Sequence, residues 1–220
     1  LHREWSNLEG SRIMKVILIG NSSIDKTREC GFQIDNDFDL IVRMNRYQTE
    51  GFENYIGSKT HIWSLNRTIS LGHSRVHYNG PDCDLNNEFK RRQELHRELD
   101  KMVLLTYTEN SDTINHLKHK TSKYSNFEVA DTTSLSTHLY QQWKKKMKVP
   151  FYKPPTGLIT IHYLLERYEK IYIHNFDNGK SSHYWEEIDP ISQPQASKHN
   201  WSFDEIVIND LVEQGKVIYL

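Results

Sequence analysis

Five short segments of the chain carry residue types able to do chemistry. Gly20-Asn21-Ser22-Ser23 closes an apolar run. A Gly there lets the backbone approach a ligand, and Asn and Ser offer short polar arms for ribose or phosphate oxygens. Plain turn chemistry is the alternative, and for such a segment taken alone the commoner one. Arg43-Met44-Asn45-Arg46 ends a second apolar run. Both arginines and Asn45 are expected to point into a ligand cleft, with a solvated rim as the alternative. Pro154-Pro155-Thr156-Gly157 opens a helical pattern. Backbone N–H groups at a helix start bind anions, and Thr-Gly gives a ligand access to them. Ordinary proline-then-cap chemistry is the alternative. His183-Tyr184-Trp185-Glu186 lies in a polar stretch, and His199 precedes a helical pattern with Asp204 and Glu205 in its first turn. Histidine titrates near neutral pH and so serves as acid or base. Among 12 histidines most must be bystanders.

Several familiar machines are missing. Gly-x-Gly-x-x-Gly, the P-loop and Gly-x-Ser-x-Gly do not occur. His73, His77 and Cys83 suggest zinc by type but offer no convincing fourth ligand. Asp35-Asn36-Asp37, Asp37-Phe38-Asp39 and Asp82-Cys83-Asp84 match the Asp-x-Asp pattern of metal-dependent sugar-nucleotide enzymes. None ends an apolar strand, so capping and turn roles are expected, and no metal site is assigned.

The elements that must position these residues alternate. Strands are expected at 15–20, 39–44, 60–65, 101–105, 127–130, 169–174 and 217–220, several of them uniformly apolar. Helices are expected at 87–100, 134–148, 156–168 and 203–214, the last ending at Gly215. Residues 66–86 and 177–198 read as loops, the second long enough for a lid or binding loop. This pattern predicts an open α/β sheet of about seven strands, mostly parallel, flanked by helices, with ligands at the carboxyl ends of the strands. Residues 14–220 form one domain, and 1–13 are expected to be a remnant or flexible segment ahead of it.

Composition narrows the function. Lys plus Arg is 28 against 29 Asp plus Glu, a net charge of -1, which argues against a nucleic-acid partner. Two cysteines cannot build a disulfide scaffold. No apolar run reaches the roughly 18 residues that cross a bilayer, and mean hydropathy is -0.74.

In order and spacing, these segments resemble the sialyltransferase family. Val16 to Ser23, Ile34 to Arg46, Gly51-Phe52-Glu53 and Ile56-Gly57-Ser58 are similar to its large motif. Pro155-Thr156-Gly157-Leu158 through Ile171 to Phe176 is similar to its small motif. His183 to Glu186 resembles its third motif, and His199, Asp204, Leu211 and Gly215 to Ile218 its very small motif. The resemblance covers about 15–65 and 150–220; 66–149 shows none. It implies a Rossmann-like, GT-A-variant sandwich and a glycosyltransferase that moves a sialic acid from a CMP-activated donor with inversion and no required metal or other cofactor. It implies a CMP-binding role for Asn21, Ser22 and Asn45, and a place for Thr156, Gly157 and Tyr184 at the donor. It implies that His183 contacts the donor phosphate and that His199 is the catalytic base. A phosphate leaving group suits a helix N-terminus, amides and a His, which stabilise growing negative charge.

Three departures bear on this. Animal members pair a cysteine of the large motif with one of the small motif, and neither stands here, which implies a reducing, cytoplasmic setting, peripheral to an inner membrane. Pro155 stands where a Ser usually precedes Thr-Gly at the donor carboxylate, which leaves a second donor open: CMP-3-deoxy-manno-octulosonate (CMP-Kdo), used in bacterial surface polysaccharide. The missing membrane anchor implies a bacterial or viral enzyme or the catalytic domain of a larger protein. The expected partners are the CMP-sugar and a glycan acceptor of oligosaccharide, lipooligosaccharide or capsule type. A binding module without catalysis is the alternative of another class; the presence of both His183 and His199 favours the enzyme.

Overall fold

The computed structural model describes residues 13–66, 85–106, 115, 118–119, 126–147, 154–181, 183–184 and 201–220. Seven strands form one sheet: β1 (Val16–Ile19), β2 (Leu40–Met44), β3 (Ile62–Asn66), β4 (Lys101–Thr106), β5 (Phe127–Asp131), β6 (Ile171–His174) and β7 (Val217–Tyr219). Every described strand pair is parallel, so the expected mostly parallel sheet is wholly parallel. Uniformly apolar strands are the cause: helices cover both faces, so both faces must be apolar.

The strand order is β5-β4-β3-β2-β1-β6-β7. From β1 the chain winds outward to β5, then returns to the other side of β1 for β6 and β7. The order therefore reverses between β1 and β6, and a crevice at their carboxyl ends is where such sheets take ligands.

Strand alternation splits the core. Val16 and Leu18 of β1 join Val42, Val103, Leu158, Ile161 and Phe203 in the larger cluster. That face carries α4 (Thr133–Met147), α5 (Thr156–Leu165) and α6 (Trp201–Glu213). Ile17 and Ile19 face the other way, onto Ile34 and Ile56. Those come from α1 (Gly31–Asp37) and α2 (Glu53–Ile56); α3 (Leu85–Leu95) follows β3.

One expected helix, 87–100, is shorter than its pattern. It runs Leu85–Leu95 and ends on a residue that is 65% exposed, as an exposed helix of sparse apolar positions would. Leu99 reaches the core from the following turn, closed by Leu99 N donating to His96 O at 3.0 Å, and packs with Trp63 and Met102. No helix among the described residues is long and apolar enough to cross a membrane.

Candidate active site

The carboxyl ends of β1, β2 and β6 meet the start of α5 at the reversal point. Gly20 directly follows β1 and donates its N–H to His174 O of β6 at 2.8 Å. A Cβ on Gly20 would lie 2.2 Å from Asn175 O, so no other residue fits this crossing. Gly157, in the first turn of α5, is less tightly enclosed: a Cβ there would meet the Phe176 side chain at 3.0 Å and the Met44 side chain at 3.3 Å. The α5 start is thus seated over the ends of β2 and β6. Pro155 precedes it with no side-chain cap, and the N–H groups of a first helical turn have no partner inside the helix. Thr160, one turn on, satisfies its buried hydroxyl with Thr156 O at 2.8 Å and Ser64 Oγ at 3.0 Å.

Asn21 ties β1 to β2. Its Nδ2 donates to Met44 O at 3.2 Å and to Arg46 O at 3.0 Å. Ser22 turns its hydroxyl to Asn175 O. Asn45 has φ 50°, the left-handed region that Asn tolerates better than most residues. Its N–H donates to Ser64 O at 2.7 Å and its carbonyl accepts the Trp63 indole N–H at 2.7 Å, so the backbone of the residue is held from both sides.

Tyr184 closes over this end. Its N–H donates to Asn21 O at 3.2 Å, and its hydroxyl accepts Gln48 N–H at 3.1 Å while donating to Gln48 O. Its ring meets Phe52 edge-on at 4.9 Å. Burial first pushes its hydroxyl pKa up to about 12, so it is neutral and donating. His183, exposed, precedes it directly.

His199 lies outside the described residues, as do His73, His77 and Cys83. Trp201, two residues beyond His199, lies against Gly179 of the segment after β6. Lys180 of that segment pairs with Glu205 at 2.9 Å. Asp204 is 1% exposed, so the two acidic residues expected in this first turn have different surroundings. Among the described residues no group of three or more His, Cys, Asp or Glu is arranged to hold a metal. Asp35 takes a turn role, accepting from Ser58 N and Oγ at 2.8 and 2.7 Å and from Lys59 N at 3.1 Å. Asp39 accepts from Lys15 N at 2.9 Å.

Arg43 corrects the sequence reading. It is 1% exposed and does not line the cleft. Its Nε donates to Lys59 O and Thr60 Oγ1 at 3.1 and 3.0 Å, and its Nη2 to Ile56 O and Gly57 O at 2.8 and 3.0 Å. It shares with Ile41, two residues before it, the face toward α1 and α2, and fastens the turn after α2. Arg46 is exposed, as a rim residue would be. Asn175, by contrast, escaped the reading although it follows β6 as Asn21 and Asn45 follow β1 and β2; a strand run ending in Asn was the available signal.

The family model described as glycosyltransferase family 29 (sialyltransferase) matches residues 2–216. The chain belongs to this family. A Homo sapiens CMP-N-acetylneuraminate-beta-galactosamide-alpha-2,3-sialyltransferase 4 is 24% identical over 225 residues, covering 96% of this chain and 65% of its own length. Its Pan troglodytes counterpart is also 24% identical, with 66% of its length covered. A Homo sapiens CMP-N-acetylneuraminate-beta-1,4-galactoside alpha-2,3-sialyltransferase is 38% identical over 53 residues, 24% of this chain and 14% of its own. The chain thus spans about two thirds of the first of these relatives. A crystal structure of a mammalian sialyltransferase in complex with Gal-beta-1-3GalNAc-ortho-nitrophenol superposes with a TM-score of 0.59 at 18% identity, over 94% of this chain and 69% of that one. This family member therefore shares the fold of solved sialyltransferases.

Proposed function

We propose that this chain transfers a sialic acid from its CMP-activated donor to a glycan hydroxyl, with inversion and without a metal ion. The observation that carries the reading is the convergence of Asn21, Ser22, Asn45 and the Thr156–Gly157 helix start at the reversal point of the sheet, in a member of family 29. Asn21, Ser22 and Asn45 hold the nucleotide. His199 takes the proton of the acceptor hydroxyl as its oxygen attacks the anomeric carbon opposite the phosphate. The bond from that carbon to the phosphate oxygen breaks, and its electron pair leaves with CMP. The α5 N–H groups and His183 stabilise the charge that collects there. Tyr184, pinned to Asn21 and Gln48, supports His183 at the rim.

CMP release tests this, measured with CMP-N-acetylneuraminate and CMP-Kdo against galactoside, lipooligosaccharide and capsule-type acceptors. The relatives' names make a β-galactosamide the first acceptor to try. Release from the sialyl donor, undiminished by excess EDTA, is the expected result. EDTA-sensitive release restored by magnesium or manganese would overturn the metal-free mechanism. Release from the Kdo donor alone would change the sugar, and CMP binding without turnover of either donor would make the chain a binding module.

A further inference from the structure

Asn175 sits directly across the reversal point from the Gly20–Ser22 turn. Its φ is 60°, and with the chain turned left-handed both its carbonyl and its side chain meet that turn. The carbonyl accepts Ser22 N–H at 3.3 Å and the Ser22 hydroxyl. The side-chain Nδ2 donates to Ser22 O and reaches Gly20 O at 3.5 Å. One residue therefore grips both neighbours of Asn21, whose own amide spans the carbonyls that end β2. Moving Ser22 moves Asn21 with it.

We propose that Asn175 is a positioning residue of the donor site, which presets the Gly20–Ser22 turn for the nucleotide. The nucleotide as ligand rests on the function proposed above; the clamp itself does not. A residue that touches no ligand acts here through Asn21 and Ser22. Its loss weakens donor binding in ground and transition state alike, raising KM while leaving kcat nearly unchanged.

Two variants test this. Asn175→Gly keeps the left-handed backbone and removes the amide; Asn175→Asp keeps the size and turns an acceptor toward Ser22 O. Three quantities are compared with the wild type: CMP affinity by calorimetry, donor KM and kcat, and amide hydrogen exchange at residues 20–23 without nucleotide. In Asn175→Gly the exchange, the CMP Kd and the donor KM are each expected to rise about three- to tenfold. kcat and acceptor KM stay within about twofold. Asn175→Asp shifts the same three quantities further, and carries the test if the glycine variant folds poorly. Lowered melting temperature with unchanged CMP affinity in both variants would mean a merely structural clamp and overturn the proposal. A wild type that does not bind CMP would defeat the donor reading instead; exchange at 20–23 then decides the clamp, and unchanged exchange in Asn175→Gly overturns it.

Discussion

The strand ends and the strand bodies of this sheet treat polar side chains in opposite ways. At the ends of β1, β2 and β6, Asn21, Asn45 and Asn175 shape the turns, two of them in left-handed backbone. In the body, Arg43 is fully buried, its Nε and Nη2 donating to Lys59 O, Thr60 Oγ1, Ile56 O and Gly57 O while its Nη1 is buried without a partner. Outside the sheet, His162 of α5 is likewise withdrawn, its Nε2 buried without a partner. Polar groups at the ends surround the proposed donor site; those in the body are arranged around the chain itself. Substitutions at the ends should therefore act on rate and binding, and those in the body on stability.

The largest effect belongs to His199. General-base assistance contributes roughly 10²–10⁴-fold in rate. His199→Ala is expected to lower kcat by about that factor with CMP affinity little changed, whereas His183→Ala impairs both, because its assigned partner is the donor phosphate. Steady-state kinetics and CMP calorimetry on the folded variants decide it. Near-normal kcat in a folded His199→Ala protein would remove the base and move this position from the functional class to the structural one.

Arg43 is the sharpest test from the other side. Arg43→Met strands the carbonyls of Ile56, Gly57 and Lys59. A buried acceptor left without its donor costs about 1–3 kcal/mol, so stranding several costs about 3–5 kcal/mol. At roughly 2–4 °C per kcal/mol for a domain of this size, the melting temperature should drop by about 6–20 °C. Where the protein remains folded, CMP affinity should hold. A variant with wild-type melting and lost CMP binding would return Arg43 to the cleft and break the comparison.

His162 gives a smaller, pH-dependent effect. Burial first, then His138 and Lys216, hold its pKa down at about 4. The unfolded chain, near 6.5, takes the proton first. Stability present above about 6.5 is therefore lost as pH falls toward 4, by at most about 1.4 kcal/mol per pH unit for one histidine. His96, also held at about 4 by burial and then by Arg43, adds in the same direction. In His162→Leu, melting temperature should fall less steeply between these pH values, with turnover at pH 7 unchanged. An unaltered slope would show that His162 is solvated and not part of the buried body.

These two classes were unequally legible in the sequence. All seven strands could be read because the strongest of them, such as Val16–Ile19 and Lys101–Leu105, are apolar on both faces, a pattern that needs no neighbour to interpret. α1 and α2 went unread. α1 buries Ile34 but leaves Phe32 82% exposed, which spoils any helical stripe, and α2 is a single turn. The places of Asn21, Asn45 and Gly157 in the fold were legible because strand-end and helix-start positions follow from the element pattern alone; their roles rest on the proposed function. Arg43 was misread because its position near the strand end was weighed while the face it shares with Ile41, two residues earlier, was not. The two-residue period sends it to the α1–α2 face, and the carbonyls that its Nη2 meets come from a turn more than ten residues away. Asn175 was passed over because its partners, Gly20 and Ser22, are distant in sequence and adjacent only once β1 and β6 pair.

Asn45 carries the smallest expected effect and the finest distinction, since one residue combines a left-handed backbone with an amide at the proposed nucleotide. Asn45→Ala removes the amide and also strains the backbone, because a Cβ-bearing residue without a compensating polar arm disfavours φ near 50°. Asn45→Gly removes only the amide and relieves the backbone. One hydrogen bond lost at a satisfied site costs about 0.5–1.5 kcal/mol, a factor of about two to ten in affinity. Both variants should therefore weaken CMP binding by that factor in calorimetry. Only Asn45→Ala should also lower the melting temperature, because the Ser64 and Trp63 bonds to its backbone require the left-handed turn. Equal affinity in Asn45→Gly and wild type would show that the side chain is idle and that only the backbone geometry is used. Asn45 would then join Arg43 as a residue that serves the chain, and the boundary between strand end and strand body would lie beyond it.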